Sequence, residues 1–206
     1  MSHHSLRMSS RFEAAFQRFD QENSRDPNMV VSEEKPVPRE LAYAQWLTDC
    51  VLKLCPDASE SLRLAARSQH LCRWMIPRDS YPMTRAGYLQ WREALKKFHA
   101  EKSGQILREC GYDADLIARV QSLNLKKNLA TDPEAQSLED ALCLVFLEHQ
   151  FTELADKTPE DKMIHVLQKS WGKMSPTARA IAQSLPFPER EKALLTKALA
   201  ENSKDE

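Results

Sequence analysis

His70 and His99 are the side chains of this 206-residue chain best suited to proton transfer or transition-metal ligation near neutral pH, because imidazole titrates closest to that range. Both fall in one stretch, LRLAARSQHLCRWMIPRDSYPMTRAGYLQWREALKKFH, from Leu62 to His99, much of which reads as buried helix. A segment that needs only to pack has no reason to carry Gln69, His70 and Arg73 on an apolar helix. Polar groups buried without partners cost roughly 1–3 kcal/mol each, so these residues are tied into a network or kept for use. The plainer role for His70 is a core histidine donating to a backbone carbonyl. For His99 it is a half-exposed ring in a charged stretch. Composition does not choose between these and ligation.

Carboxylates come next. Glu139 and Asp140 lie in the first turns of the most apolar helical stretch, LEDALCLVFLEHQF. Adjacent helical residues point about 100° apart, so both do not face the core. Asp140 shares a stripe with Gln136 and Leu144, and Glu139 shares one with Ala135 and Cys143. One acid facing inward beside a histidine suits a divalent metal. The alternative is an acid complementing the helix dipole.

Cations complete the set: Arg73, Arg78, Arg85, Arg92, Lys126 and Lys127 can converge as an anion site, with arginine supplying bidentate phosphate contacts. Arg85 and Lys127 are expected on the solvated surface. Arg73, between Cys72 and Trp74, is expected to be mostly buried and paired with Glu139 or Asp140. Trp74, Tyr81, Tyr88 and Trp91 are expected as core residues before stacking platforms.

The elements that must position these groups are helices. Phe12, Phe16 and Phe19 recur at helical spacing over residues 8–22. Residues 23–37, with Pro27 and Pro36 and little periodicity, read as a long loop wrapping the surface. Pro38 suits the first turn of a second helix through Leu41, Ala44, Leu47, Val51 and Leu54. Asp57 or Ser59 caps a third, carrying Leu62, Ala65, Ala66 and Gln69. Thr84 caps a long helix to about Cys110, stopped by Gly111. Asp113, Asp132-Pro133, Thr158-Pro159, Ser175-Pro176 and Pro188 open the rest, and residues 201–206 are a frayed tail. No segment alternates as a strand. The fold class is all-α, a single domain over 1–206 of about eight or nine helices with its ordered core in 8–200.

Bulk properties narrow the function classes. Apolar residues make up 42% and charged residues 29%, with a net charge of −1, which argues against a nucleic-acid coat or an anionic-membrane binder; no DNA is expected as partner. Four glycines give little support to a glycine-rich phosphate loop. Five scattered cysteines read as reduced thiols in a cytoplasmic setting. No apolar run reaches the roughly 20 residues of a membrane span. The start, MSHHSLRMSS, lacks a secretory hydrophobic core, and His3 and His4 are given no ligand role.

AARSQHLCRW, IPRDSYP, GYLQWREALKKFHA, the GYD at Gly111–Asp113, LEDALCLVFLE and KSWGKMS resemble a widespread family, domain of unknown function 4202, from Phe12 to about Leu195. A more remote resemblance implies chemistry. The order AARSQH, HAEKSGQIL, EAQSLEDALCL is similar to the layout of HD-domain metal-dependent phosphohydrolases, all-α proteins in which a divalent metal activates water. In that layout Gln69-His70 falls on the His-Asp pair, which reads Gln-His here. His99 falls on a later histidine, Asp140 on the closing aspartate, and Tyr43 or Glu40 near the first histidine.

The resemblance therefore implies a divergent phosphohydrolase acting on a small phosphorylated molecule or nucleotide. His70, His99 and Asp140 would hold a divalent metal (manganese, iron or magnesium), and Glu139 would orient water or take its proton. Gln69, Arg73, Arg78, Arg92 and Lys126 would hold the substrate. The alternative is a non-catalytic helical binding module for a nucleotide, RNA or a protein segment.

Overall fold

A computed structural model describes residues 10–32 and 34–202; His3, His4, the first two residues of the expected 8–22 helix and residues 203–206 lie outside that range. The chain divides after Asn128 into two compact units, each helical.

The first unit contains α1 (Ser10–Asn23), a hairpin of β1 (Met29–Ser32) and β2 (Lys35–Pro38), α2 (Arg39–Leu54), α3 (Glu60–Ser68), α4 (Arg85–Glu109) and α5 (Ala114–Asn124). Two short 3₁₀ turns, Arg73–Met75 and Arg78–Ser80, join α3 to α4. Helix α5 packs on α3 and α4, α2 packs on α3, and α1 lies across all of α2, α3 and α4. Phe12, Phe19, Leu47, Leu62, Leu64, Leu71, Ile106, Leu107 and Leu123 fill the core between them. Two polar ties fix the layers. Arg67 of α3 grips Asp20 of α1 through two hydrogen bonds of 2.7 Å. The Asn124 amide donates to the Ser68 and Ser103 hydroxyls at 3.1 and 3.2 Å, joining α5 to α3 and α4.

The second unit contains α6 (Pro133–His149), α7 (Phe151–Asp156), α8 (Glu160–Trp171), α9 (Pro176–Ser184) and α10 (Glu189–Asn202). Helix α10 packs on α8, α9 on α6, and α7 bridges α6 to α8 and α10. Leu138, Phe151 and Met163 lie at its centre.

Helix starts follow side-chain chemistry. Ser59, Thr84, Asp113, Asp132 and Ser175 each accept from a backbone N–H of the first turn that follows. Gly111, at φ +81°, ends α4 in the left-handed region that glycine enters freely.

Three local expectations are corrected. Residues 23–37 do not form a featureless loop: Met29–Ser32 pairs antiparallel with Lys35–Pro38, in the register Val30 to Val37 and Val31 to Pro36. Prolines are tolerated there because a two-stranded ribbon has only edge strands. The third helix stops at Ser68, so His70 lies in the turn beyond it, and Cys72 (φ 55°) reverses the chain. The expected helix from Asp132 ends at His149 and a separate short α7 follows. Among the described residues no helix is long and apolar enough to cross a membrane, and no disulfide forms.

Candidate functional site

Four segments of the first unit deliver titratable groups to one place: the start of α2, the turn after α3, the middle of α4 and the end of α5. Glu40 sits one residue into α2, where Asp26 accepts from its backbone N–H at 3.0 Å and so caps the helix. That position holds the Glu40 side chain inward, 6% exposed. His70 lies against it, with Nδ1 3.3 Å from Glu40 Oε2 and its ring stacked 4.0 Å from that of Tyr43 at 11°. The His99 ring, from α4, lies 5.9 Å from His70, centre to centre.

The turn that carries His70 is held in an uncommon shape. Asn23, at the end of α1, accepts from the Cys72 backbone N–H at 3.0 Å and fixes the left-handed residue. Left-handed backbone costs a non-glycine residue roughly 1 kcal/mol, and such residues gather at functional sites. Lys126, just past α5, is another, at φ 57°.

The tautomer of His99 follows from its partner. Nδ1 lies 2.8 Å from the Leu71 carbonyl, which only accepts, so Nδ1 carries the proton and donates. Nε2 is left as a bare lone pair, 2% exposed by residue and without a hydrogen-bond partner. Glu40 Oε2 and Gln69 Oε1, in residues 6% and 3% exposed, are also buried without a hydrogen bond, Glu40 Oε2 having only the His70 ring nitrogen at 3.3 Å beside it. With Asn124 Oδ1 they make four buried acceptors without a hydrogen bond among the described residues of this unit, which is costly unless something supplies donors.

Electrostatics follow from burial and from the cations. Burial pushes Glu40 up to about 7, against the pull of Arg73. Burial, the nearby His70 and the field of Arg73 hold His99 down at about 3, although the Leu71 hydrogen bond opposes this. His70 is held well below its ordinary value by burial and then by Arg73, Lys126 and Arg92. At neutral pH both rings are uncharged, and Glu40 alone is poised to exchange a proton.

The predicted residues sort clearly. In the first unit the His70 and His99 rings face each other, Arg73 reaches Glu40, the charges of Lys126 and Arg92 act on His70, and Gln69 is buried next to His70 in the chain. Arg73 is half-buried, 31% exposed; its carboxylate partner is Glu40, Nε to Oε1 3.9 Å, and its guanidinium rests 4.8 Å from the Trp91 ring centre. This corrects the expected pairing with Glu139 or Asp140. Arg78 turns its donors onto the carbonyls of Tyr81, Pro82 and Thr84, at 3.0, 2.9 and 3.3 Å. Glu139 and Asp140 belong to the second unit and are occupied there. Glu139 faces Lys173 Nζ at 3.3 Å. Asp140 Oδ1 accepts from Gln136 Nε2 at 2.9 Å and from the Ser175 N–H at 2.8 Å, fixing the start of α9. Both acids are therefore buried, because one meets a lysine and the other a backbone donor.

Among the described residues no group of three or more His, Cys, Asp or Glu is arranged to hold a metal ion. Glu40 is the group that residue-by-residue reading passed over. The available signals were its place in the first turn after Pro38 and the remote resemblance that set it near an absent histidine.

The sequence model of a family described as domain of unknown function, DUF4202, matches residues 13–195. No curated protein and no solved structure matches the chain.

Proposed function

The chain belongs to the DUF4202 family, and from that premise we propose that its first unit hydrolyses a small phosphorylated molecule, in the manner of a divergent HD-like phosphohydrolase. The observation that carries the reading is a pair of buried acceptors without hydrogen bonds: His99 Nε2, and Glu40 Oε2, whose neighbour is His70 Nδ1 at 3.3 Å. A water molecule supplies the two donors they lack. Held between them, it keeps a lone pair for attack on phosphorus.

Glu40, near 7, is the general base matched to neutral pH, while His99, near 3, orients the water without taking its proton. Arg73, Arg92 and Lys126 hold the phosphoryl oxygens, and the same cations keep His70 neutral. As the water oxygen bonds to phosphorus, its proton passes to Glu40 and the ester P–O bond breaks; the departing oxygen takes a proton from solvent, and Glu40 then releases its own there. Two imidazoles and a carboxylate are donors of the type that divalent metals take. Since the described residues are not arranged as a metal site, no step is routed through one.

The test is a screen of sugar phosphates and nucleotides by thermal shift and phosphate release, run with manganese and again with chelator. Glu40→Gln is expected to keep ligand stabilisation and lose turnover 10²- to 10⁴-fold, roughly the value of a positioned base. Arg73→Ala is expected to lose the stabilisation itself. Unchanged turnover in Glu40→Gln would remove the base from the mechanism. Stabilisation without turnover in the wild type under either condition would instead make this a non-catalytic binding module.

A further inference from the structure

We propose that the site selects nucleotides over other phosphate esters, with the exposed Tyr88 ring as the surface on which the base stacks. This rests on the reading of the first unit as a phosphate-ester site and names its substrate class. Tyr88 stands in the first turn of α4 and is 41% exposed, unlike Trp91 one turn on, which is buried. The Arg92 guanidinium lies 5.7 Å from the Tyr88 ring centre and that of Arg78 lies 5.9 Å from it. Arg92 is also among the cations whose field reaches His70. The Tyr88 ring centre lies 5.9 Å from that of Trp91, over which the Arg73 guanidinium rests at 4.8 Å, so a ligand with its phosphate on Arg73 and a flat base at the other end spans the two.

The platform is built to stay in place. Arg78 binds three carbonyls of the loop before α4, and the Thr84 hydroxyl caps that helix by accepting from Gly87 N–H at 3.1 Å. Gly87 packs so closely on that loop that a Cβ there would lie 2.1 Å from the Pro82 carbonyl oxygen. Trp91 Nε1 donates to the Ile76 carbonyl at 2.8 Å, closing the far side. The backbone under Tyr88 is therefore clamped, and a clamped aromatic loses little freedom when a base stacks on it. Stacking is sequence-tolerant because every base has a π-face, and adjacent arginines add cation–π attraction. Purine and pyrimidine nucleotides are both expected to bind.

Titration calorimetry on the full chain with adenosine monophosphate, ribose 5-phosphate and inorganic phosphate tests this. Wild type is expected to bind the nucleotide at least tenfold more tightly than ribose 5-phosphate. Tyr88→Phe should keep that ratio, since the ring remains. Tyr88→Ala should bring the ratio near one and leave ribose 5-phosphate affinity within twofold. Equal affinities in the wild type, or an unchanged ratio in Tyr88→Ala, overturn the platform while leaving the phosphate site standing. Failure of all three ligands to bind overturns the phosphate-ester reading, and this inference with it.

Discussion

A carboxyl group held near 7 is about half ionised at neutral pH, so Glu40 can both accept and return a proton within one turnover. Its value is a balance between burial, which raises it, and the Arg73 charge 3.9 Å away, which lowers it. Removing the arginine charge therefore moves Glu40 upward. In Arg73→Ala the acid limb of the pH–rate profile should shift to higher pH than in wild type, measured at saturating substrate so that lost affinity is not counted. A limb that stays put, or moves down, would mean that another group supplies the base. Sequence could not rank Glu40 above Glu139, because both are acids in the first two turns of their helices, with helix-dipole roles open to them. What separates them is what each meets: Lys173 for Glu139, and for Glu40 the uncharged His70 ring at 3.3 Å with Arg73 farther off at 3.9 Å. Partners of that kind come from other elements and leave no mark on the local pattern.

Elements rather than single residues decide where the cations stand. Lys126 ends α5 in left-handed backbone, with its N–H donating to the Leu123 carbonyl at 2.9 Å and that of Lys127 donating to the Ser122 carbonyl at 3.1 Å. A glycine fits that helix end better. Lys126→Gly is expected to stabilise the protein by about 0.5–1 kcal/mol while weakening ligand stabilisation, a trade between stability and function. Paired denaturant melts and thermal shifts with phosphate ligand read both effects. A variant that is less stable, or that binds as before, contradicts the assignment. Gly87→Ala, by contrast, meets the Pro82 oxygen and should destabilise by roughly 2 kcal/mol or more, since the obstacle is backbone. The helix starts were legible from Ser59, Thr84, Asp113, Asp132 and Ser175, because a capping side chain acts on its own first turn. The turn at Cys72 was not, because its shape is imposed by Asn23 from a helix about fifty residues earlier. Apolar spacing through Leu71 reads as helix whether or not the backbone continues as one.

Three buried titratable groups in the first unit make global stability respond to pH in a defined way. Unfolded, His70 and His99 regain ordinary values near 6.5, whereas folded they stay neutral well below that. Between about 4.5 and 6.5 the unfolded chain therefore binds a proton at His99 that the folded chain refuses, and His70 acts in the same direction. Glu40 acts oppositely. Its folded value of about 7 exceeds its ordinary 4.5, so the folded chain keeps one proton that the unfolded chain has lost. The stabilisation from Glu40 is complete below 4.5 and disappears as pH rises through 7. Over that window the His99 and Glu40 contributions, about 1.4 kcal/mol per unit each, offset one another, and His70 makes stability rise with pH up to about 6.5. Above that only the Glu40 contribution changes, and stability falls. Glu40→Gln isolates this contribution: wild-type minus variant stability should fall by about 1.4 kcal/mol per pH unit between 4.5 and 7 and be flat on either side. Urea melts followed by tryptophan fluorescence suit the measurement, since Trp46, Trp74 and Trp91 all lie in the first unit. A flat difference across that window would place Glu40 at an ordinary carboxylate value, leaving it ionised at neutral pH and too weak a base for the proposed proton transfer.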